Sequence, residues 1–243
     1  MSDLRIDDGG EGGVPVILHH GLGADGHIWD AQLAFLRATR RAVAYDMRGH
    51  GASTRRGPYT IEALAQDLDE VVTGLGIPRF WLVGHSMAGA VLSSYAGMQP
   101  QKLAGLVYVD ALGDLTRAPV GMREFFRKQA EGVTPEQLQA AFGDMLGPLA
   151  TLDTRLRVLE SAARMDLPAF AALRASCSEL PAEAMLTRFR GPRRAINVEG
   201  NDFPFLASRM PGFERRKTVP NVSHWLMLDD PAAFNSVLAE VLE

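Results

Sequence analysis

Ser86 lies in a setting that could make a serine a nucleophile. It belongs to the run "GHSMAG" (84–89), between the strand-like segment "RFWLVG" and the helix-like segment "AVLSSYAG". A turn that leads directly from a buried strand into a helix exposes such a serine and strains its backbone. Strand and helix crowd together there, so the residues two before and two after must be small, as Gly84 and Ala88 are. The competing interpretation is an ordinary turn of small residues. The strand before it and the helix after it favour a turn that presents Ser86 as a nucleophile.

Apolar runs that alternate with helical patterns indicate the elements that would hold this turn. A run of four or more apolar residues bounded by Gly, Pro or charge is typical of a strand buried on both faces of a parallel sheet. Residues 60–76 predict a helix, because apolar residues recur at steps of three and four and Thr60 can cap its start. The predicted strands are 14–20, 41–46, 79–84, 103–110, 193–200 and 215–220. The fold class is therefore α/β, with a mostly parallel sheet.

The alternation stops between residues 113 and 188. Only helical patterns occur there, broken by "GVTP", "GP" and "LP". A segment of this length is too long for a structureless loop in a compact domain. We therefore expect a core domain formed by residues 1–112 and 189–243, with residues 113–188 inserted as a helical cap.

Composition excludes several other functions. The chain has 243 residues, 47% of them hydrophobic, and a formal net charge of −4. Scattered arginines and this charge argue against a nucleic-acid or anionic-membrane partner. The single cysteine, Cys177, can form neither an internal disulfide nor a cysteine metal site. The first residues carry no secretory pattern, and no run approaches the roughly 18 to 20 apolar residues that span a bilayer. We expect a cytoplasmic protein that acts on a small molecule without a cofactor or metal.

Four motifs in order resemble those of the α/β-hydrolase superfamily, in particular its esterase and haloperoxidase-like serine hydrolases. They are "HHGLG" (19–23), "DMRGHGAS" (46–53), "VGHSMAG" (83–89) and "VPNVSHWLMLDDP" (219–231). The resemblance covers nearly the whole chain and implies a central sheet of seven or eight strands flanked by helices. Only the short segment "LRIDD" precedes the strand at 14–20, so the usual first antiparallel strand is expected to be missing. Ala88 departs from the family's usual glycine by a single methyl group.

The resemblance also implies the partners of Ser86. His224 is the only histidine after the serine, and it lies in the family's histidine loop, so it is the expected base. The expected acid is Asp202, although the family usually has one more residue between the glycine and the aspartate. Asp110 at the end of "LVYVD" is the rival, because some members carry the acid after that earlier strand, and Glu199 is a weaker third candidate.

A tetrahedral intermediate also needs backbone N–H donors. The residue after the nucleophile, Met87, supplies one, and the resemblance assigns the second to Leu22. Aromatic, histidine and methionine side chains near these loops and in the cap predict an apolar substrate pocket. The residues assigned to it are Trp29, His20, His85, Phe125, Met145 and Trp225.

The sequence thus predicts a serine hydrolase that cleaves a small carboxylic ester through an acyl-enzyme on Ser86. Lactone hydrolysis, C–C bond hydrolysis of ring-cleavage products and cofactor-free perhydrolysis use the same triad and stay open. A different class, a non-catalytic ligand receptor, would be favoured by loss of a triad member, and none is missing here.

Overall fold

The structure is a computed structural model that describes residues 3–128 and 131–243. Its centre is a seven-stranded sheet with the order β1-β3-β2-β4-β5-β6-β7. The outer strand β1 runs antiparallel to β3, and all the other neighbours are parallel. The strands are β1 Ile6–Gly9, β2 Val16–His19, β3 Ala42–Tyr45, β4 Phe80–His85, β5 Leu103–Val109, β6 Arg193–Val198 and β7 Arg215–Val219.

The central strands are buried on both faces, as their continuous apolar runs predict. Every residue of β2, β3 and β4 is buried. By contrast, β1 has alternating exposed and half-buried residues, because it forms one edge of the sheet. The α/β fold and a sheet of seven strands are therefore confirmed. The N-terminal segment nevertheless supplies one antiparallel strand, β1, which pairs with β3 through Ile6 and Tyr45 at one end.

Helices cover both faces of the sheet. The predicted helix at 60–76 is α2, Ile61–Gly74, and the Thr60 hydroxyl accepts a hydrogen bond from the Ala63 N–H at its start. The other helices of the regular alternation are α1 Asp30–Leu36, α3 Ala88–Met98, α9 Leu226–Asp229 and α10 Pro231–Leu242. In the described part of the chain, no helix is both long and apolar enough to cross a membrane.

Five helices follow one another between β5 and β6. They are α4 Val120–Lys128, α5 Pro135–Leu146, α6 Leu152–Ala163, α7 Leu167–Glu179 and α8 Ala182–Leu186. They occupy the segment expected as a cap, and the described residues there include no strand. Residues 129 and 130 of that segment, and residues 1 and 2 of the expected core, lie outside the described residues.

Two of the contacts that join this helical segment to the sheet domain meet at Asp25. In α6, the Ser161 hydroxyl donates to the buried Asp25 carboxylate at 3.0 Å. Arg164, which follows α6, donates to the same carboxylate oxygen at 2.7 Å. Asp25 lies in the loop after β2, so these bonds anchor α6 over the carboxyl ends of the strands.

Candidate active site

Ser86 occupies a strained turn between β4 and α3. Its φ of 57° lies in the left-handed region, which a non-glycine residue adopts only where its surroundings hold it. Three backbone hydrogen bonds do so: the Ser86 N–H donates to the Val109 carbonyl, and the Ser86 carbonyl accepts from the N–H groups of Gly89 and Leu112. The side chain of Ser86 is therefore presented at the carboxyl end of the sheet.

The small residues beside the turn are required by close packing. A Cβ atom added to Gly84 would lie 2.4 Å from Leu92 Cδ1 and 2.9 Å from Ala88 Cβ. Both distances are shorter than real Cβ contacts. The strand and the helix therefore approach each other as the sequence pattern predicts, and Ala88 is tolerated because only its methyl group enters this space.

His224 is bonded to a buried carboxylate, that of Asp110. The distance from His224 Nδ1 to Asp110 Oδ2 is 2.7 Å, and the exposed fractions of the two side chains are 21% and 1%. Because a carboxylate accepts this bond, Nδ1 of His224 carries a proton, and in the neutral ring Nε2 has a free lone pair. The rings of His224 and His85 are 4.5 Å apart.

The expectation that Asp202 is the acid is corrected by this geometry. Asp202 is exposed, as is Glu199, whereas the rival Asp110 directly follows β5 and reaches His224. In the loop after β6, Asn201 is the residue that contacts Asp110. Its amide donates to both carboxylate oxygens of Asp110, at 2.9 Å and 3.1 Å. An amide thus contacts Asp110 from the loop in which the sequence suggested a carboxylate.

Asp110 is ionised despite its burial. Burial alone would raise the pKa of its carboxyl group, but hydrogen bonds from His224, Asn201 and the Val198 N–H outweigh burial and hold the pKa below its usual value. A negative charge fixed beside Nδ1 stabilises the imidazolium that forms when His224 takes up a proton.

His85 supports His224 from the opposite side. Its Nε2 donates to the His224 carbonyl at 2.8 Å. Burial and the neighbouring His224 lower the pKa of His85 to about 3, so its ring is neutral. The histidine next to the serine therefore adds no charge to the site and fixes the backbone of His224.

Two backbone N–H groups near Ser86 lack an acceptor. Among the described residues, neither the Leu22 N–H nor the Met87 N–H donates to a protein atom. Leu22 is in the loop after β2, and Met87 directly follows the serine. The loop also lies against the serine: a Cβ atom added to Gly21 would be 2.9 Å from Ser86 Cβ. Donors in this position can bind an oxygen that develops negative charge.

Ser86, His224, Met87 and Leu22 line one cavity of about 470 Å³. Within the described ranges, no hydrogen bond joins the Ser86 hydroxyl to His224, and such bonds are often long in ligand-free sites. The cavity wall is mainly apolar and comes from the loops of the sheet domain and from α4, α5 and α7. Its larger apolar side chains are Phe126, Phe142, Met145, Phe170, Phe203 and Trp225.

Of the six residues assigned to the pocket, His85, Met145 and Trp225 line this cavity. The other three do not, and these assignments were wrong. Trp29 is completely buried and packs near Phe234. His20 is also completely buried. Phe125 is 58% exposed. Its neighbour Phe126 lines the cavity instead, because successive residues of a helix point about 100° apart.

Several residues that line the cavity carry no functional signal in the sequence. Phe142 of α5 covers the loop after β2: a Cβ atom on Gly23 would lie 2.3 Å from its ring. The periodic apolar pattern of α5 is a signal for burial but not for this contact. On α7, Arg174 donates to the Phe126 carbonyl and lies over the Phe126 and Phe170 rings.

Burial raises the pKa of Cys177 to about 12, so its thiol is protonated. The described residues include no group of three or more His, Cys, Asp or Glu placed to hold a metal.

Comparisons with known proteins identify the family of the chain. A family model described as "Alpha/beta hydrolase family" matches residues 16–237. A relative from Variovorax paradoxus, named as a carbamate hydrolase (RutD), is 38% identical over 102 residues, which are 41% of this chain and 38% of the relative. The chain spans 29% to 49% of the length of the curated relatives that it matches.

Solved structures resemble nearly the whole chain. A thermophilic esterase from Thermogutta terrifontis has a TM-score of 0.83 and 25% identity, covering 98% of this chain and 92% of that one. A bromoperoxidase from Bacillus anthracis has a TM-score of 0.87 and 21% identity, covering 98% and 95%. The second likeness supports the fold alone.

Proposed function

Because the chain belongs to the alpha/beta hydrolase family, we propose that it is a serine hydrolase that cleaves a small carboxylic ester. One observation carries the proposal: the Nδ1 of His224 is bonded to the buried Asp110 carboxylate, and this imidazole shares a cavity with the strained Ser86. A base, its orienting acid and a hydroxyl that a substrate can reach are the groups that nucleophilic acyl transfer needs.

In the first half of the reaction, His224 Nε2 removes the proton of the Ser86 hydroxyl while Oγ attacks the ester carbonyl. The carbonyl oxygen becomes an oxyanion, and the N–H groups of Leu22 and Met87 donate to it. Asp110 stabilises the imidazolium and keeps its tautomer fixed. The tetrahedral intermediate then collapses, the alcohol leaves with the proton from His224, and the acyl group remains on Ser86.

In the second half, water replaces the alcohol. His224 removes a proton from a water molecule, which attacks the acyl carbonyl, and the same two N–H groups stabilise the second oxyanion. Collapse of this intermediate breaks the acyl–Oγ bond. His224 returns its proton to Ser86, and the carboxylic acid is released.

The proposed substrate class follows from the cavity. Its wall is mainly apolar, so it suits an uncharged ester with an acyl or aryl group of modest size. We assign residues 113–188 as the cap that covers this cavity, since α4, α5 and α7 contribute Phe126, Phe142 and Phe170 to its wall.

Hydrolysis of short-chain p-nitrophenyl esters tests the proposal. We expect the protein to release p-nitrophenol with a pre-steady-state burst, and the Ser86→Ala variant to lose both burst and turnover with its fold intact. Ser94→Ala, which alters a buried serine of α3 outside the cavity wall, is the control and should retain both. Equal turnover by Ser86→Ala and the parent protein would overturn the proposal.

A further inference from the structure

We propose that His20 is a positioning residue that aims the Leu22 N–H at the oxyanion. This role rests on the serine-hydrolase function proposed above. His20 is completely buried and does not line the cavity, so it would act through the backbone of the loop formed by residues 20–24 and not by touching the substrate.

The hydrogen bonds of His20 fix its tautomer. The Met47 N–H donates to His20 Nε2 at 2.9 Å, and a backbone nitrogen can only donate, so Nε2 is unprotonated. Nδ1 therefore carries the proton and donates to the Gly21 carbonyl at 2.8 Å. Burial lowers the pKa of His20, which keeps the ring in this neutral form.

The bond to Gly21 sets the direction of the next N–H. The peptide between Gly21 and Leu22 is planar and trans, so its C=O and its N–H point in opposite directions. The Gly21 carbonyl is held by His20 and also accepts from the Ala24 N–H at 3.3 Å. The Leu22 N–H must then point away from His20, and it has no acceptor among the described residues. Rotation of this one peptide would remove the donor.

The anchor of His20 is itself rigid. Met47 lies in the loop after β3, and the preceding Asp46 carboxylate accepts from the N–H groups of Gly26 and Ala52, at 2.8 Å and 2.9 Å. The imidazole thus connects the "DMRGHGAS" loop to the "HHGLG" loop. On the far side, Phe142 packs over Gly23. The Gly21–Leu22 peptide is held between these two supports and beside Ser86.

Two substitutions separate the two hydrogen bonds of His20. An asparagine amide lies near the position of Nδ1, so His20→Asn can still donate to the Gly21 carbonyl while losing the bond to Met47. A glutamine amide oxygen lies near Nε2, so His20→Gln can still accept from Met47 while losing the bond to Gly21. Each variant breaks one buried hydrogen bond, and the two are matched in polarity and similar in the stability they lose.

The experiment measures kcat, KM and the affinity for a transition-state analogue, an alkyl boronic acid, in both variants. We expect His20→Gln to lose about tenfold to a hundredfold in kcat and a similar factor in boronate affinity, with KM little changed, because an oxyanion donor acts in the transition state. His20→Asn keeps the donor to the Gly21 carbonyl but loses the bond from Met47, so it should lose clearly less kcat and boronate affinity than His20→Gln. If His20 had only a structural role, kcat and boronate affinity would fall by similar factors in both variants.

Equal losses in the two variants, or full activity in His20→Gln, would overturn the inference. If His20→Gln does not fold, the test rests on His20→Asn. A folded His20→Asn protein that loses more than about tenfold in kcat contradicts the proposed role of His20. The parent protein separates this outcome from failure of the proposed function. If it shows no burst and no turnover, the serine-hydrolase proposal fails and the role of His20 fails with it.

Discussion

Asp110 depends on three donors that converge on one carboxylate. His224 Nδ1, the Asn201 amide and the Val198 N–H all bond to it, and it is almost fully buried. Its φ of 42° lies in the left-handed region, which a non-glycine residue adopts only where its surroundings hold it. A charged group in these surroundings can orient an imidazole without being protonated itself.

Replacing this carboxylate tests the assignment of the acid. We expect Asp110→Asn to lower kcat by about three to four orders of magnitude, because an amide at this position favours the wrong His224 tautomer. Asp202→Asn is the matched control, with the same change of charge at an exposed position, and should leave kcat unchanged. Steady-state ester hydrolysis measures both. A large loss in Asp202→Asn with activity retained in Asp110→Asn would contradict the assignment.

At the scale of elements, the turn between β4 and α3 leaves no room for a larger residue at position 84. We expect Gly84→Ala to lower the free energy of unfolding by about 1 to 3 kcal/mol, since its Cβ would overlap Leu92 and Ala88. Gly143→Ala is the control. Apart from the adjacent residues and the backbone of α5, no atom of the described residues lies within 4 Å of the added Cβ. The lower entropy of the unfolded chain should therefore raise stability by about 0.5 to 1 kcal/mol. Urea unfolding measures both, and equal stabilities would count against the crowded turn.

The contact between α6 and the sheet domain should depend on pH. Burial alone would raise the pKa of Asp25, but Arg164 and Ser161 outweigh it and the net pKa is lowered. A lowered pKa contributes stability at neutral pH that is lost as the pH falls through the pKa of the folded state. The Arg164 side chain is 42% exposed, so the contribution is modest.

We therefore expect Arg164→Met to lower the free energy of unfolding at pH 7 by about 1 kcal/mol. The difference from the parent protein should shrink as the pH falls through the lowered pKa of Asp25, because protonation removes the charge with which Arg164 pairs. Glu160→Gln removes only the exposed partner of Arg164 and should change little. Urea unfolding at several pH values measures these differences. A difference that grows on acidification would contradict the account.

The elements were predictable from the sequence because their signals are local. Continuous apolar runs give the buried strands, and the three-and-four spacing with Thr60 gives α2. The carboxylate that bonds His224 was not predictable, because Asp110 and Asp202 both follow strands that are neighbours in the sheet, and only the directions of the side chains separate them. For the same reason residue type alone did not distinguish Phe125 from Phe126. The contact of Phe142 with Gly23 joins residues 119 positions apart in the chain, and no local pattern reports it.

For the molecule as a whole, the cavity between sheet domain and cap should determine the preferred ester. Each added CH₂ group that it buries should raise kcat/KM about fourfold, the equivalent of about 0.8 kcal/mol. The increase should stop when the acyl chain fills the cavity of about 470 Å³. A series of p-nitrophenyl esters from acetate to dodecanoate measures this dependence. A steady decrease from acetate onward would contradict an acyl site in this cavity.

The most direct test of the central claim is to detect the acyl group on the protein. The protein is mixed with a p-nitrophenyl ester, quenched in acid within the burst phase, digested and analysed by mass spectrometry. The account predicts that the acyl mass is carried by the peptide containing Ser86, in an amount that matches the burst, and that it is absent from the Ser86→Ala variant. Turnover with no acyl group on Ser86, or with the acyl group on another residue, would contradict it.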